Sequence, residues 1–98
     1  MITPNIDIPR DRIADFCRRN HIRKLSLFGS VVREDFREDS DVDVLIEFEP
    51  GYAPGLRFFA MEIELSQILG RPVDLNTTQW LSPRFRDDVQ REQVPIYV

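Results

Sequence analysis

The first half of the chain alternates apolar and polar positions in blocks that predict one helix and two strands. A short helix is predicted after Pro9, because apolar residues recur there at helical spacing: Ile13, Phe16 and Cys17. Residues 23–29 then supply an apolar strand that stops at Gly29. Residues 41–49 are rich in β-branched and apolar side chains, which favours a second strand that is central in its sheet or nearly so.

The second half of the chain adds three more predicted elements. After a loop rich in proline and glycine, a helix is predicted over 56–69, and its apolar residues cover more than the single stripe that a surface helix needs. Residues 71–76 predict a third strand, and 77–92 predict helix with a break near Pro83. The last five residues, 94–98, could close the sheet as an edge strand.

Composition sets the size and class of the fold. With 98 residues, of which 42% are hydrophobic, the chain suits one domain over residues 1–98. A chain of this length buries roughly 60 to 65 per cent of the surface that its unfolded form exposes. We therefore expect an α/β (α+β) fold in which helices pack on a small mixed β-sheet.

Charge and cysteine content exclude several functions. The formal net charge of −4 disfavours direct binding of long nucleic acids, whereas a nucleotide carried with a divalent metal is compatible with an acidic site. Cys17 and His21 are single residues of their types, so we expect neither an internal disulfide nor a zinc cluster, and a cytoplasmic location. No apolar run reaches the roughly 18 residues of a membrane span, so no membrane association is expected.

The residues that carry chemistry are Gly29-Ser30 and, ten residues later, Asp41-Val42-Asp43. Successive strand side chains point to opposite faces, so Asp41 and Asp43 emerge on the same face. Two adjacent carboxylates repel each other unless a divalent cation lies between them, and Mg²⁺ prefers a few carboxylates together with phosphate oxygens and water. The pair therefore indicates a magnesium site.

A third carboxylate and a phosphate-binding turn complete the hypothesis. Asp74 lies between two apolar residues of the predicted neighbouring strand and is a plausible third ligand. Three carboxylates could hold two ions about 3.5 to 4 Å apart, which is the arrangement that assists phosphoryl displacement. Gly29 allows close approach of a ligand and Ser30 opens a helical turn, so the two residues suit phosphate. Arg33 could reach the same phosphates.

Each part of this pattern has a structural alternative. Gly-Ser is commonly a turn with a helix N-cap, Asp-Val-Asp alone is commonly an acidic strand entry, and Arg33 could be a solvated surface residue. Asp74 by itself is as well explained by a structural role. The combined four-residue spacing, however, arises by chance in only about one chain in a thousand of this length, so a functional site is the better interpretation.

At these residues the chain resembles a known family. The segment GSVVREDFREDSDVDVLIEF is similar to the signature of the nucleotidyltransferase superfamily that includes DNA polymerase beta, and most similar to the minimal nucleotidyltransferase (MNT) antitoxins. The resemblance continues through EPGYAPGL, ILGRPVDL and the tail REQVPIYV. Many relatives have Arg-Gly where this chain has Arg33-Glu34, so this turn departs from the family pattern.

The resemblance implies roles for individual residues. Gly29 and Ser30 match the phosphate-binding turn, and Arg33 and Ser40 are further candidates for nucleotide binding. The carboxylates match the metal-binding catalytic set, in which the third one helps to deprotonate the acceptor hydroxyl: Asp41, Asp43 and Asp74. The implied cofactor is Mg²⁺, as two ions, with Mn²⁺ possible, and the implied substrate is ATP.

The resemblance also implies a function, and alternatives stay open. A polymerase beta-like fold would transfer AMP from ATP to a tyrosine of a cognate HEPN-domain toxin, so that the chain acts as a metal-dependent protein adenylyltransferase and antitoxin in a hetero-oligomer. The helix over 56–69 and the region of Phe85, Ile96 and Tyr97 could dock that toxin. One alternative is an antitoxin that only blocks the toxin sterically. Another is a nucleotidyltransferase that modifies a small-molecule hydroxyl.

Overall fold

In the computed structural model, residues 6–33, 37, 40–78 and 83–98 are described, except for the side chains of Pro83, Phe85 and Arg86. The elements of these ranges follow the order α1 (Arg10–Arg19), β1 (Ile22–Phe28), β2 (Val42–Phe48), α2 (Arg57–Leu69), β3 (Val73–Thr77), α3 (Pro83–Glu92) and β4 (Val94–Tyr97). A 3₁₀ turn, Gly29–Val32, follows β1 directly. The predicted α/β class is confirmed.

The four strands form one mixed sheet in the order β3-β2-β1-β4. β1 is antiparallel to both β2 and β4, whereas β2 and β3 run parallel. The strand predicted over 41–49 is therefore an inner strand, and the segment at the C-terminal end forms an edge, as the sequence predicts.

Helices cover both faces of the sheet. On one face, α1 and α2 pack over β2 residues that alternate along the strand: Val42, Val44 and Ile46. The predicted apolar stripe of α1 lies in this core, since Ile13, Phe16 and Cys17 are all buried. On the opposite face, Val89 of α3 packs with Phe28 and Leu45. This alternation along β2 places its odd-numbered residues, including Asp43, on the same side as α3.

Helix ends follow the local sequence in α1 and α2. At the end of α1, the side-chain amide of Asn20 donates a hydrogen bond of 2.8 Å to the carbonyl of Phe16, which satisfies one of the helix's last acceptors. α2 ends at Gly70, whose φ of 68° is left-handed, and Pro72 follows soon afterwards. None of the helices within the described ranges is both long and apolar enough to cross a membrane.

The sequence predicts a helix over 77–92, and this prediction is wrong for the first residues of the segment. Thr77 belongs to β3, where it pairs with Ile46 of β2, and Thr78 is a turn. The helix begins at Pro83, since proline presets the backbone angle of a first helical residue and has no N–H to leave unsatisfied there. Residues 79–82 lie outside the described ranges. The sheet ladder thus overrides the helical pattern at the start of this segment.

Candidate active site

Sheet register brings the predicted acidic residues to one end of the sheet. Asp43 pairs with Phe28 of β1 on one side and with Asp74 of β3 on the other. Asp41 lies one residue before β2, and Gly29 follows directly after β1. The turn and the three carboxylates that the sequence singles out therefore lie around the ends of three adjacent strands.

Gly29 is packed directly against Asp43. Its φ of 73° is left-handed, and residues with a side chain rarely adopt this backbone angle. A β-carbon at this position would overlap the carboxylate oxygen Oδ2 of Asp43 and would lie 3.0 Å from Cγ. Both the backbone angle and the contact require glycine here. The structure thus explains the presence of glycine at this position without any ligand.

The carboxyl group of Asp43 is electrostatically strained. Burial, followed by the negative charges of Asp74 and Asp41 and by a hydrogen bond with Asp74, raises its pKa to about 6. The guanidinium of Arg33 opposes this shift, but its effect is the smallest of these. Near neutral pH the site therefore gathers negative charge that the nearby arginine does not balance.

This donor set fits a divalent cation. Asp41 and Asp74 are exposed and Asp43 is half-buried, so carboxylate oxygens face both solvent and the interior of the site. Carboxylates in contact with one another are stabilised when a hard cation replaces the proton between them. Within the described ranges, no group of three acidic, histidine or cysteine side chains is arranged to hold a metal ion by itself. A nucleotide's phosphate oxygens would have to supply the remaining ligands.

A cavity of about 190 Å³ lies beside Asp43, between the turn after β1 and helix α3. Its walls come from Phe28, Gly29, Arg33, Asp43, Asp88, Val89 and Glu92. A larger and more open groove of about 370 Å³ lies between α1 and α2, but it shares no residue with this site and is lined by ion-paired side chains such as Arg19 and Glu64. Of the three predicted carboxylates, Asp43 alone lines the smaller cavity, while Asp41 and Asp74 lie outside its walls.

The other residues predicted to bind nucleotide are distributed unevenly. Arg33 lines the cavity, where its guanidinium is within 2.9 Å of the carboxylate of Glu92. Ser30 is half-buried in the 3₁₀ turn and is not among the lining residues. The hydroxyl of Ser40 accepts a hydrogen bond of 3.1 Å from the backbone N–H of Arg37, and Ser40 does not line the cavity.

Sequence reasoning missed Glu92, which lies at the end of α3. One of its carboxylate oxygens accepts hydrogen bonds of 2.9 Å from both the backbone N–H of Gly29 and the guanidinium of Arg33. These contacts span 63 and 59 positions along the chain. The signal that could have indicated Glu92 is the tail REQVPIYV, which belongs to the family resemblance but carries no recognisable chemistry on its own.

Comparison with known proteins gives the same class as the site. The family model of the nucleotidyltransferase domain matches residues 10–95. MJ0435 of Methanocaldococcus jannaschii, provisionally named a protein adenylyltransferase, is 30% identical over 94% of this chain and 98% of its own. The protein adenylyltransferase MntA of Thermococcus cleftensis is 40% identical over 74% of this chain and 73% of its own. The chain belongs to the nucleotidyltransferase domain family and is a nucleotidyltransferase.

Solved structures extend the likeness to the fold. A minimal nucleotidyltransferase is 37% identical, covers 88% of this chain and 87% of its own, and superposes with a TM-score of 0.74. The MNT antitoxin in complex with a tri-AMPylated HEPN toxin from Shewanella oneidensis is 19% identical, with a TM-score of 0.66 over 90% of this chain and 68% of that chain. At that identity the second match shows a shared fold alone.

Proposed function

We propose that this protein is the antitoxin of a HEPN/MNT type pair and transfers AMP from ATP to a tyrosine of its cognate HEPN toxin. The observation that carries the proposal is the junction of Gly29, Asp43 and Asp74 at one end of the sheet. Steric blocking of a toxin requires none of these groups. The relative named protein adenylyltransferase MntA and the AMPylated Shewanella complex support the choice of a protein acceptor.

The proposed reaction is a single displacement at phosphorus. The tyrosine hydroxyl oxygen attacks the α-phosphorus of ATP, and a new P–O bond forms as the bond to the oxygen bridging the α- and β-phosphates breaks. Pyrophosphate leaves, and the hydroxyl proton passes to the carboxylate of Asp74. Because Asp74 is exposed beside Asp43, an acceptor outside the chain can reach it.

Metal binding is part of this proposal. Asp41, Asp43 and Asp74 would hold Mg²⁺, as two ions, or Mn²⁺, which would neutralise phosphate charge and stabilise the attacking and leaving oxygens. Burial and the neighbouring carboxylates raise the pKa of Asp43, and a bound cation would favour its ionised form. Because Gly29 has no side chain, the Asp43 carboxylate can lie directly against the turn. Arg33, Ser30 and Ser40 would face the nucleotide's phosphates.

The acceptor is proposed to come from a second protein that docks on α2. Three apolar side chains of this region are strongly exposed: Leu56 at 84%, Phe59 at 64% and Ile63 at 62%. Their spacing of three and four residues puts them on one face of the helix. Ile96 and Tyr97, also considered for docking, pack partly against the core, and the Phe85 side chain lies outside the described part. The α2 stripe is therefore the stronger docking candidate.

The experiment uses ATP labelled at different phosphates. Neighbouring genes are searched for a HEPN-domain protein, which is purified and incubated with the enzyme, magnesium and ATP carrying label at the α- or γ-phosphate. The proposal predicts that only the α-label reaches the toxin, that pyrophosphate is released, and that peptide mapping finds the adduct on a tyrosine. A toxin variant with that tyrosine changed to phenylalanine serves as the control.

Other outcomes separate the alternatives. Transfer of the γ-label would show a kinase instead of a nucleotidyltransferase reaction. Tight toxin binding with no label transferred would support steric neutralisation. In a parallel incubation with a hydroxyl-bearing antibiotic, labelling of the antibiotic and not of the toxin would support the small-molecule enzyme.

A further inference from the structure

Glu92 connects α3 to the turn after β1 through two hydrogen bonds. Its Oε1 atom accepts from the Gly29 N–H and from Nη1 of Arg33, each at 2.9 Å. The side chain of Glu92 is 35% exposed and that of Arg33 is 51% exposed. One partly buried carboxylate oxygen thus fixes both a backbone donor and a charged side chain of the same turn.

We propose that Glu92 is a positioning residue for nucleotide binding, and that it holds Gly29 against Asp43 and aims Arg33 into the cavity. This inference rests on the proposed use of ATP at this site. Gly29 must keep a left-handed φ of 73° for its Cα to lie beside the Asp43 carboxylate. A hydrogen bond from its own N–H to a charged acceptor stabilises that orientation more strongly than a bond to a neutral acceptor does.

The same geometry argues against Glu92 as a mere surface ion pair. Exposed ion pairs contribute little, because solvent screens them and the two side chains lose freedom. Here the carboxylate also satisfies a backbone donor of the buried Gly29, which would otherwise lose a hydrogen bond on folding. The function of Glu92 is therefore expected to appear in nucleotide binding as well as in stability.

An opposite role can be tested in the same experiment. Gly29 and Arg33 are donors that suit a phosphate, so a carboxylate on them could instead act as an internal competitor of ATP. The two roles predict opposite signs. If Glu92 positions the turn, removing its carboxylate weakens ATP binding. If Glu92 competes with ATP, removing its carboxylate tightens ATP binding.

The test compares Glu92→Gln and Glu92→Ala with Asp87→Asn. The glutamine keeps an oxygen that accepts the Gly29 N–H but lacks the charge that holds Arg33, and the alanine loses both interactions. Asp87 is exposed on the same helix and does not line the cavity, so its amide variant controls for loss of one negative charge near the site. Affinity for ATP with magnesium is measured by calorimetry, and the Gly29 amide is followed by NMR.

The proposal predicts a graded loss of ATP affinity. Glu92→Gln should weaken binding by about tenfold and Glu92→Ala by more, while Asp87→Asn stays at the parent level. The Gly29 amide signal should move upfield in both Glu92 variants as its charged acceptor is lost. KM for ATP should rise in AMP transfer, with the affinity for toxin unchanged.

Three results would overturn the inference. Tighter ATP binding by the Glu92 variants would assign the competitor role. Lower melting temperature with unchanged ATP affinity would assign a purely structural role. An unmoved Gly29 amide would show that the hydrogen bond does not form in solution. If the parent binds ATP but labels no toxin, the proposed acceptor fails and the Glu92 inference is still tested, because calorimetry and NMR need no acceptor.

Discussion

Gly29 and Asp43 are in direct contact, so that even one added methyl group on Gly29 would overlap the carboxylate. They lie 14 positions apart in the sequence, and the pairing of β1 with β2 brings them together. The contact links the proposed nucleotide-binding turn to the proposed metal site. A change in either residue is therefore expected to disturb both.

Gly29→Ala tests this contact against a matched glycine. Alanine at a left-handed φ costs roughly 1 to 2 kcal/mol, and the same cost applies at Gly70, where φ is 68° and no atom lies within 4 Å of an added β-carbon. Both variants should therefore lose stability, but only Gly29→Ala should also lose binding of ATP with magnesium. Denaturant unfolding and calorimetry measure the two effects. Equal ATP affinity in the two variants would show that the contact with Asp43 is not functional.

Asp43 is expected to destabilise the metal-free protein near neutral pH. Its folded pKa of about 6 lies above the ordinary value of roughly 3.9, so the folded state prefers the protonated form. The stabilising contribution is complete below the unfolded pKa and is lost as pH rises through about 6. Asp43→Asn should remove this loss and raise the melting temperature by a few degrees at pH 7 in chelator.

Melting curves from pH 4 to pH 8 check this expectation with and without magnesium. The parent should lose stability across the range in chelator and regain it with magnesium, whereas the asparagine variant should respond weakly to both. Parallel pH profiles for the two proteins would contradict the assigned cause. Asp87→Asn, at an exposed position on α3, controls for the change in net charge.

Much of the fold follows from local sequence. The stripe of Ile13, Phe16 and Cys17 requires one buried helix face, and the Gly70-Pro72 signal ends α2 where glycine can adopt a left-handed angle. The start of α3 did not follow, because Thr77 is held by a parallel ladder to a strand 31 positions earlier. Pairing with a distant strand of this kind produces no hydrophobic periodicity in the local sequence, so the sequence does not predict it.

Some residues of the candidate site can also be predicted from local sequence, whereas others depend on long-range packing. Asp41 and Asp43 could be found from their spacing, since strand geometry alone puts them on one face. The sequence predicts Asp74 on a neighbouring strand as a plausible third ligand, and the β2–β3 register pairs it with Asp43. Glu92 escaped notice because a lone glutamate near a helix end resembles any solvated residue. Its contact with Gly29 depends on how α3 packs, which the local sequence does not encode.

The thiol of Cys17 is expected to be unreactive in the folded protein. The residue is fully buried, and burial raises the pKa of its thiol to about 12, which suppresses the reactive thiolate. A thiol reagent should therefore label the native protein only as fast as the protein unfolds, and should label it at once in denaturant. Rapid stoichiometric labelling of the native protein would contradict the packing of α1 against the sheet.

The α2 stripe should be needed for toxin binding and not for folding. Changing Phe59 and Ile63 together to serine removes two exposed apolar side chains, so stability should change little while toxin affinity falls by about tenfold or more. Val98→Ser, at an apolar residue elsewhere that is still more exposed, is the control. Calorimetry with the toxin, together with ATP binding, checks the result. Unchanged toxin affinity in the stripe variant would move the docking surface away from α2.

We propose that the protein neutralises its toxin by catalysis and not by binding alone. The most direct measurement compares the parent with an Asp41→Asn, Asp43→Asn double variant, in cells that express the toxin and by intact mass of the toxin recovered from them. If neutralisation is catalytic, the parent should protect the cells and add AMP mass to the toxin. The double variant should still bind toxin but add no mass and fail to protect. Equal protection by both proteins, with no mass added by either, would contradict it.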